Sequence, residues 1–301
     1  MMTIIVTSYN EPKATERAVN IILKQKIKTP FKVLVIDPFP EVESYLRRKI
    51  KDKRFDFILD PGEGKPYALN MLFEMLFSEN KEEILVFTDG DVYISDNSLK
   101  EIEEAFKDKS IGAITGRPVA TNKKGTKYEF WARVGYSGID KVRKRLSSQG
   151  EFLQCSGYLF AIRNGLVKET LEDVPEDCVI PYFVWKKDYK IKYLDKAEVY
   201  VQYPTNWADW INQRVRTIKA HENLNKIVPD MPRTKSLSNE IKEGLLFSLK
   251  QPRSIKEFFW LIELYFARLY IYYRSAKEAK TKKTFDPGWR ENEVKSAKPL
   301  D

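Results

Sequence analysis

The stretch Ile84-Leu-Val-Phe-Thr-Asp-Gly-Asp-Val92 decides how the rest of the chain is interpreted. Four consecutive apolar residues predict a buried parallel strand, and two carboxylates, Asp89 and Asp91, follow where it ends. In an open α/β sheet, ligands bind at the carboxyl ends of the strands. Two Asp side chains around a Gly suit a divalent cation held together with phosphate oxygens, but taken alone they are more typical of a surface turn. The neighbouring segments distinguish these alternatives.

Strands and helices alternate before this stretch, which predicts right-handed βαβ units and a mostly parallel sheet. The predicted strands are Thr3–Thr7, Phe31–Asp37 and Phe55–Leu59, with helices beginning near Lys13, Glu41 and Pro66. Polar or acidic residues follow each strand, at Tyr9 to Glu11, Asp37 and Glu63 to Lys65. Because the carboxyl ends of parallel strands share one edge of the sheet, we expect these residues to converge on a single site with Asp89 and Asp91.

The pattern is less regular between Arg117 and Gly150, where the basic run 141–145 predicts a solvated helix face or contact with an anion. Gln154–Arg163 predicts a strand interrupted by glycine. Glu176 and Asp177 head a short helix, and an ordinary helix cap is the alternative to a functional role. The pattern next predicts two short strands, 190–193 and 198–203, and a helix from Asn206 to about His221. His221 is the only histidine, and its place on a basic helix favours a structural role.

Composition narrows the class of protein less than the motifs do. The 301 residues carry 52 Lys and Arg against 43 Asp and Glu, a formal charge of +9 that suits nucleic acid, anionic lipid, an anionic substrate or a solvated surface. Two cysteines outside any C-x-x-C pattern argue against a zinc site and favour a reduced compartment. The amino terminus has no secretory signal pattern, so a cytoplasmic protein is expected.

The segment 254–273 predicts an amphipathic helix whose apolar face includes Phe259, Leu261, Phe266 and Leu269. Its charged residues argue against a membrane span, which leaves packing on its own domain or contact with a membrane surface. We therefore expect an α/β domain over 1–228, a helical appendage over 229–276 and a polar, mobile tail over 277–301.

Several motifs in one order give the chain a family resemblance from roughly Thr3 to His221. They are Val6-Thr-Ser-Tyr-Asn-Glu-Pro12, Val35-Ile-Asp37, Gly64-Lys-Pro-Tyr-Ala-Leu-Asn70, Asp89-Gly-Asp91, Cys155-Ser-Gly157 with Arg163, Glu176-Asp177 and Gln213-Arg-Val-Arg216. This order resembles the inverting family 2 nucleotide-sugar glycosyltransferases, which implies the GT-A fold, a Rossmann-like α/β sandwich.

The resemblance also implies a role for each matched residue. The donor site would comprise Thr7, Tyr9, Glu11, Asp37, Lys65, Asp89, Gln213 and Arg216. Asp37 would contact the nucleotide base, whereas Asp89 and Asp91 would hold Mg²⁺ or Mn²⁺ on the diphosphate. Asp177 would be the general base that deprotonates the acceptor, with Gly157 and Glu176 beside it. The implied partners are a nucleoside-diphosphate sugar and a glycan or lipid-linked acceptor, without nucleic acid; the oligomeric state stays open.

Two positions depart from the family pattern. Pro38 stands where a second acid often follows Asp37, and Thr217 stands where the last motif usually has Trp, which puts a processive role in doubt. One alternative is a sugar-phosphate nucleotidyltransferase, which would need a glycine-rich loop after the first strand, and Ser8–Pro12 contains no glycine. The other is a binding module that keeps the fold without catalysis.

Overall fold

The predicted α/β sandwich is present in the computed structural model, which describes residues 1–233 and 237–280. In the described part of the chain, eight strands form one mixed sheet in the order β3-β2-β1-β4-β7-β6-β8-β5. The strands are β1 Met2–Thr7, β2 Phe31–Asp37, β3 Phe55–Leu59, β4 Ile84–Asp89, β5 Tyr93–Ile94, β6 Ile111–Ala120, β7 Leu159–Arg163 and β8 Lys190–Val201.

Helices cover both faces of this sheet. Within the described ranges they are α1 Pro12–Leu23, α2 Pro40–Lys49, α3 Lys65–Leu76, α4 Ser98–Ala105, α5 Lys127–Gln149, α6 Glu176–Trp185, α7 Trp207–Ile227, α8 Leu237–Ser248 and α9 Ile255–Lys280. Apolar residues of α3 and α6 pack on one face, and those of α1, α2 and α4 pack on the other. The alternating side chains of β1 supply both cores, since Ile5 points to one and Ile4 to the other.

The direction of β7 brings the loop that precedes it to the edge of the sheet at which the parallel strands end. Strands β3, β2, β1 and β4 are parallel, so Thr7 is paired with Asp89, and Asp37 with Leu59, along one edge. Strand β7 is antiparallel to β4, and its first residue pairs with Thr88. The loop before β7, which contains Gly157, therefore lies at the carboxyl ends of the parallel strands.

Two predictions of local structure were wrong. The segment predicted to be irregular contains the 23-residue helix α5, which starts where the Thr126 side chain accepts a hydrogen bond from Glu129 N and ends at Gly150 with a left-handed backbone (φ 69°). The two strands predicted over 190–203 are a single strand, β8, because backbone pairing with β6 continues past an irregularity in register.

Arg163 is the last residue of β7, at the end of the strand opposite the Gly157 loop, and it connects the sheet to the neighbouring segments. Its side chain is almost fully buried and donates hydrogen bonds to the carbonyls of Ile111, Lys81, Phe106 and Asp108 at 2.7–3.0 Å. This arginine therefore satisfies backbone acceptors between elements, which is a packing role.

The predicted C-terminal helix is α9, and its apolar residues are divided between two sides. Leu261 and Ile271 are buried against α5 and α7, together with Trp131 and Trp210. Phe259 and Phe266, predicted for the same face as Leu261, are instead 60% and 69% exposed. No helix in the ranges 1–233 and 237–280 combines the length and the apolarity that a membrane span needs. Helix α9 continues to Lys280, and the rest of the predicted tail lies outside the described residues.

Candidate active site

Asp89 is the last residue of β4 and lies at the edge formed by the carboxyl ends of the parallel strands. Its Oδ1 atom accepts hydrogen bonds from Thr7 Oγ1 at 2.8 Å and from Lys65 Nζ at 2.8 Å. Thr7 reaches it from the neighbouring strand, whereas Lys65 is the first residue of α3. The structure thus brings together three of the predicted donor-site residues, and the Asp89 side chain keeps a quarter of its surface exposed for a ligand.

Lys65 also joins this group to the predicted acceptor side. Its Nζ atom lies 2.7 Å from Glu176 Oε1, at the start of α6. Burial disfavours the ammonium, but the charges of Asp89 and Glu176 outweigh it and hold the pKa of Lys65 above its ordinary value. Lys65 is therefore a permanent cation between two carboxylates, and a third of its side chain remains exposed to the cleft.

The Asp89-Gly90-Asp91 turn is packed closely against the loop after β1. A Cβ atom on Gly90 would lie 2.7 Å from Thr15 Oγ1 and 3.2 Å from the Ser8 Cβ, so this position excludes a side chain. Asp91 is nearly buried beside it. The turn is thus fixed by tertiary packing, which is more than a solvated surface turn requires.

The donor set around this turn fits a divalent cation that shares its shell with a ligand. Among the described residues, no cluster of three or more His, Cys, Asp or Glu side chains could hold a metal alone. Two carboxylates, Asp89 and Asp91, flank this turn, and Mg²⁺ and Mn²⁺ commonly combine one or two carboxylates with substrate phosphates. A cation here would need oxygens from a bound ligand to complete its coordination.

Asp37 shapes the loops that follow β1 and β2. Its buried carboxylate accepts hydrogen bonds from the backbone N–H groups of Asn10 at 3.0 Å and Phe39 at 2.9 Å. Asn10 has a left-handed backbone (φ 54°), which turns the loop so that Tyr9 packs edge-on against the Phe39 ring at 5.2 Å. Tyr9 is 43% exposed, so its ring is available for stacking.

Asp60 is a second carboxylate in this region, and the sequence reasoning missed it. It follows β3, is nearly buried, and accepts a hydrogen bond from Gly62 N at 2.7 Å. Burial raises the pKa of both Asp37 and Asp60, and the charge of Asp60 raises that of Asp37 further. The signal was present, since Asp60 follows its strand as Asp37 ends its own, but only Glu63 to Lys65 were counted among the polar residues after β3.

Asp177 faces the loop before β7. Gly157 N donates a hydrogen bond to Asp177 Oδ2 at 3.0 Å, and Cys155 N donates to the Asp177 backbone carbonyl at 3.0 Å. The Cys178 thiol lies 3.5 Å from Asp177 Oδ1. The structure therefore brings Asp177, Gly157 and Glu176 together, as the sequence predicted, with the carboxylate oriented by backbone contacts.

Gln213 and Arg216 lie one turn apart on α7, and both are partly buried. Thr217 turns back onto its own helix, where its Oγ1 donates to the Gln213 carbonyl at 2.9 Å. His221 is buried further along α7. Near the C-terminal end of α7, Asn223 donates a hydrogen bond to the Asp173 carbonyl at 2.7 Å, and this bond connects the helix to the segment before Glu176. The donor role of Gln213 and Arg216 stays a prediction.

Comparison with known proteins agrees with this geometry. The poly-β-1,6-N-acetyl-D-glucosamine synthase of Staphylococcus epidermidis is 23% identical over 245 residues, which cover 79% of this chain and 58% of that protein. The hyaluronan synthase of Streptococcus pyogenes is 26% identical over 141 residues, or 45% of this chain and 32% of the synthase. The chain thus spans little more than half the length of the first of these curated relatives and about a third of the second.

Among solved structures, the mannosyltransferase PcManGT from Pyrobaculum calidifontis, in complex with GDP-Man and Mn²⁺, has a similar fold. Its TM-score is 0.57 at 18% identity, and the match covers 93% of this chain and 79% of that chain. This likeness establishes the GT-A type of fold. The model of the family described as "Glycosyltransferase like family 2" matches residues 2–220, which is most of the chain, and the chain therefore belongs to that family.

Proposed function

We propose that the chain is an inverting glycosyltransferase that moves one sugar from a nucleoside-diphosphate sugar to an acceptor hydroxyl. The observation that carries the proposal is the bridge by Lys65 between Asp89 and Glu176. Asp89 belongs to the donor side, and Glu176 precedes the candidate base Asp177. One cation in contact with both carboxylates implies that the two half-sites adjoin, which a direct transfer between donor and acceptor requires.

The donor would lie along the carboxyl ends of β1, β2 and β4. Tyr9 and Glu11 would contact the nucleotide base, on a loop that the buried Asp37 holds in place, while Thr7, Lys65, Gln213 and Arg216 would contact the sugar-diphosphate part. Asp89 and Asp91 would hold Mg²⁺ or Mn²⁺, which when bound supplies Lewis-acid neutralisation of charge on the departing diphosphate. The Mn²⁺ and GDP-Man in the Pyrobaculum mannosyltransferase support this assignment, as do the two carboxylates at one strand end.

On the acceptor side, Asp177 would take the proton from the acceptor hydroxyl. The acceptor oxygen would form its bond to the anomeric carbon as the bond to the diphosphate breaks on the opposite face, so the configuration inverts without a covalent intermediate. The hydrogen bond from Gly157 N fixes Oδ2 of the base, and the direction of that oxygen is therefore set before the acceptor binds. The acceptor class we propose is a glycan or a lipid-linked sugar.

We further propose that the enzyme works at the cytoplasmic surface of a membrane, through helix α9 over 254–273 and the adjoining part of α8. Ile255, Phe259, Phe266 and Tyr273 are each at least 60% exposed, which is unusual for a helix facing water. A groove of about 390 Å³, lined mainly by apolar side chains of α5, α7 and α9, adjoins this surface. Apolar side chains at this density are suited to the boundary between headgroups and acyl chains.

The charges on the same surface favour an anionic membrane. Glu243, Glu257 and Glu263 each form an ion pair with a cation of α5, at 3.0, 2.7 and 2.9 Å. Lys250 and Lys256, in contrast, are exposed beside the aromatic residues. Because cations of α5 neutralise these three glutamates and the two lysines face solvent, the surface presents positive charge beside apolar side chains.

The donor assignment is tested by measuring the thermal midpoint of the protein against UDP-, GDP-, ADP- and dTDP-sugars, with and without Mn²⁺. We expect one nucleotide class to raise the midpoint, and the rise to be larger with Mn²⁺, because a ligand stabilises the state that it binds. The nucleotide released from that donor, followed over time, then measures turnover. A protein stabilised by none of these sugars would contradict the proposed function.

A further inference from the structure

Arg143 is a partly buried residue of α5 whose guanidinium reaches behind the candidate base. Its Nη2 atom donates a hydrogen bond to the Cys155 carbonyl at 2.9 Å, and its Nη1 atom is buried without a hydrogen-bond partner among the described residues. The sequence placed Arg143 in the basic run 141–145 and predicted a solvated face or contact with an anion. Arg145 does lie at the surface, paired with Glu243, but Arg143 points into the protein.

Several ionisable groups lie around Arg143. They include Cys155, Tyr193, Cys178 and the carboxylate of Asp177, and burial lowers the pKa of Arg143 below its ordinary value in spite of them. Burial also raises the pKa of Cys155 to about 12, and it holds the pKa of Tyr193 above its usual range. The Cys155 thiol and the Tyr193 phenol are therefore neutral near pH 7, and the carboxylate that offers Arg143 a negative charge is Asp177.

A short chain of backbone contacts connects the two residues. The Cys155 carbonyl accepts from Arg143, and the N–H of the same residue donates to the Asp177 carbonyl at 3.0 Å. Two residues later, Gly157 N holds Asp177 Oδ2. Helix α5 thus braces the loop that orients the carboxylate, so that displacement of Arg143 would loosen both contacts to Asp177.

We propose that Arg143 is a positioning residue for Asp177, whose buried guanidinium fixes the 155–157 loop against the carboxylate and keeps that carboxylate ionised. This inference rests on the proposed function, in which Asp177 is the general base. A buried guanidinium is costly unless a nearby negative charge compensates it, and Asp177 provides that charge. The other groups facing Asp177 are the Cys178 thiol and the adjacent Glu176, which is itself paired with Lys65.

Two substitutions separate the effect of the Arg143 charge from the effect of its packing. Arg143→Lys keeps the positive charge, whereas Arg143→Gln keeps a donor for the Cys155 carbonyl and removes the charge. Because a positive charge favours the ionised form of a nearby carboxylate, its loss moves the protonation of Asp177 to higher pH. A general base must be ionised to act, so the acidic limb of the rate profile moves to higher pH as well.

The experiment measures nucleotide release from the sugar donor that gives the largest thermal shift, between pH 4.5 and 8. We expect Arg143→Gln to move the acidic limb upward by about one pH unit or more, with an unchanged dissociation constant for the donor. We expect Arg143→Lys and the surface control Arg145→Gln to keep the wild-type profile. A parallel titration of the Asp177 carboxyl signal by ¹³C NMR reports the same shift without requiring turnover.

The outcomes separate this inference from the function on which it rests. If the wild-type protein releases nucleotide and the Arg143→Gln profile and Asp177 titration coincide with those of wild type, Arg143 has no influence on the base and the inference is wrong. If no donor binds or turns over in the wild-type protein, the proposed function itself is overturned, and this inference with it. If Arg143→Gln does not fold, Arg143→Met takes its place, because it also removes the charge, and an Asp177 titration equal to that of wild type in this variant overturns the inference.

Discussion

The ammonium of Lys65 lies 2.7 Å from a carboxylate oxygen of Glu176, although the two residues begin different helices on the same face of the sheet. The same nitrogen lies 2.8 Å from Asp89, at the end of the central strand. One side chain therefore touches both the proposed metal-binding carboxylate and the residue next to the proposed base. This shared contact makes Lys65 the most informative position at which to perturb the site.

Substitution Lys65→Met should change metal binding and donor binding in opposite directions. We expect Mn²⁺ alone to bind more tightly, because Asp89 and Glu176 lose their shared cation, and the nucleotide sugar to bind about tenfold or more weakly, a loss of about 1.4 kcal/mol. Calorimetric titration measures both. Lys107→Met removes an exposed lysine far from the site and should leave both affinities unchanged. Parallel changes in the two affinities would argue against a diphosphate contact by Lys65.

Substitution Asp177→Asn should abolish turnover while donor binding survives. The amide cannot accept the acceptor proton, and positioned general bases typically contribute about 10²–10⁴-fold to the rate. Nucleotide release and the donor dissociation constant are measured side by side. Asp173→Asn is the matched control, since Asp173 is exposed and its left-handed backbone (φ 57°) tolerates Asn. Retained turnover in Asp177→Asn would show that another group is the base.

Removing the proposed metal-binding carboxylates should uncouple donor binding from Mn²⁺. We expect the thermal stabilisation by the donor in Asp89→Asn and Asp91→Asn to lose its dependence on Mn²⁺, because a neutral amide is a poor ligand for a hard cation. The chelator EDTA should have the same effect on the wild-type protein. Asp96→Asn, a nearby change outside the site, should keep the Mn²⁺ dependence. A donor effect that is insensitive to both the variants and EDTA would contradict the metal assignment.

Arg163 should be important for stability and unimportant for ligand binding. Arg163→Met leaves four backbone carbonyls without their donor, so we expect a loss of about 3 kcal/mol or more in the free energy of unfolding. Urea denaturation measures it, with the exposed Arg47→Met as the control. The donor dissociation constant of the folded Arg163→Met protein should equal that of wild type. Equal denaturation midpoints for the two variants would rule out this packing role.

The exposed aromatic residues of α9 should mediate binding to anionic vesicles. We expect the double substitution Phe259→Ser with Phe266→Ser to weaken binding to vesicles containing phosphatidylglycerol at least tenfold, since two exposed apolar side chains no longer enter the lipid. Co-sedimentation measures the bound fraction. Met75→Ser removes an exposed apolar residue on α3 and should have no effect. Equal binding by the double variant and wild type would exclude α9 as the membrane contact.

The order of strands and helices in the first ninety residues could be predicted because it depends on local patterns. Short β-branched runs alternate with helical periodicity there, and each strand ends in polar residues. The same reasoning indicated a helix only at the basic run 141–145 of α5, although Thr126 and Glu129 form a helix-capping pair at its start. Glycines at 135 and 138 weaken the helical pattern, and tertiary packing of Phe130 and Trp131 stabilises the helix regardless.

The sequence by itself determined the fold class, the family motifs and the carboxylates Asp37 and Asp89 at two strand ends, because these depend on residue types at short spacing. Only the tertiary structure decided which side chains meet. It placed Lys65 between Asp89 and Glu176, brought Gly157 to Asp177 through an antiparallel strand, and turned Arg143 inward while Phe259 and Phe266 face outward. Contacts between residues far apart in sequence follow from strand order and helix packing, which local spacing does not encode.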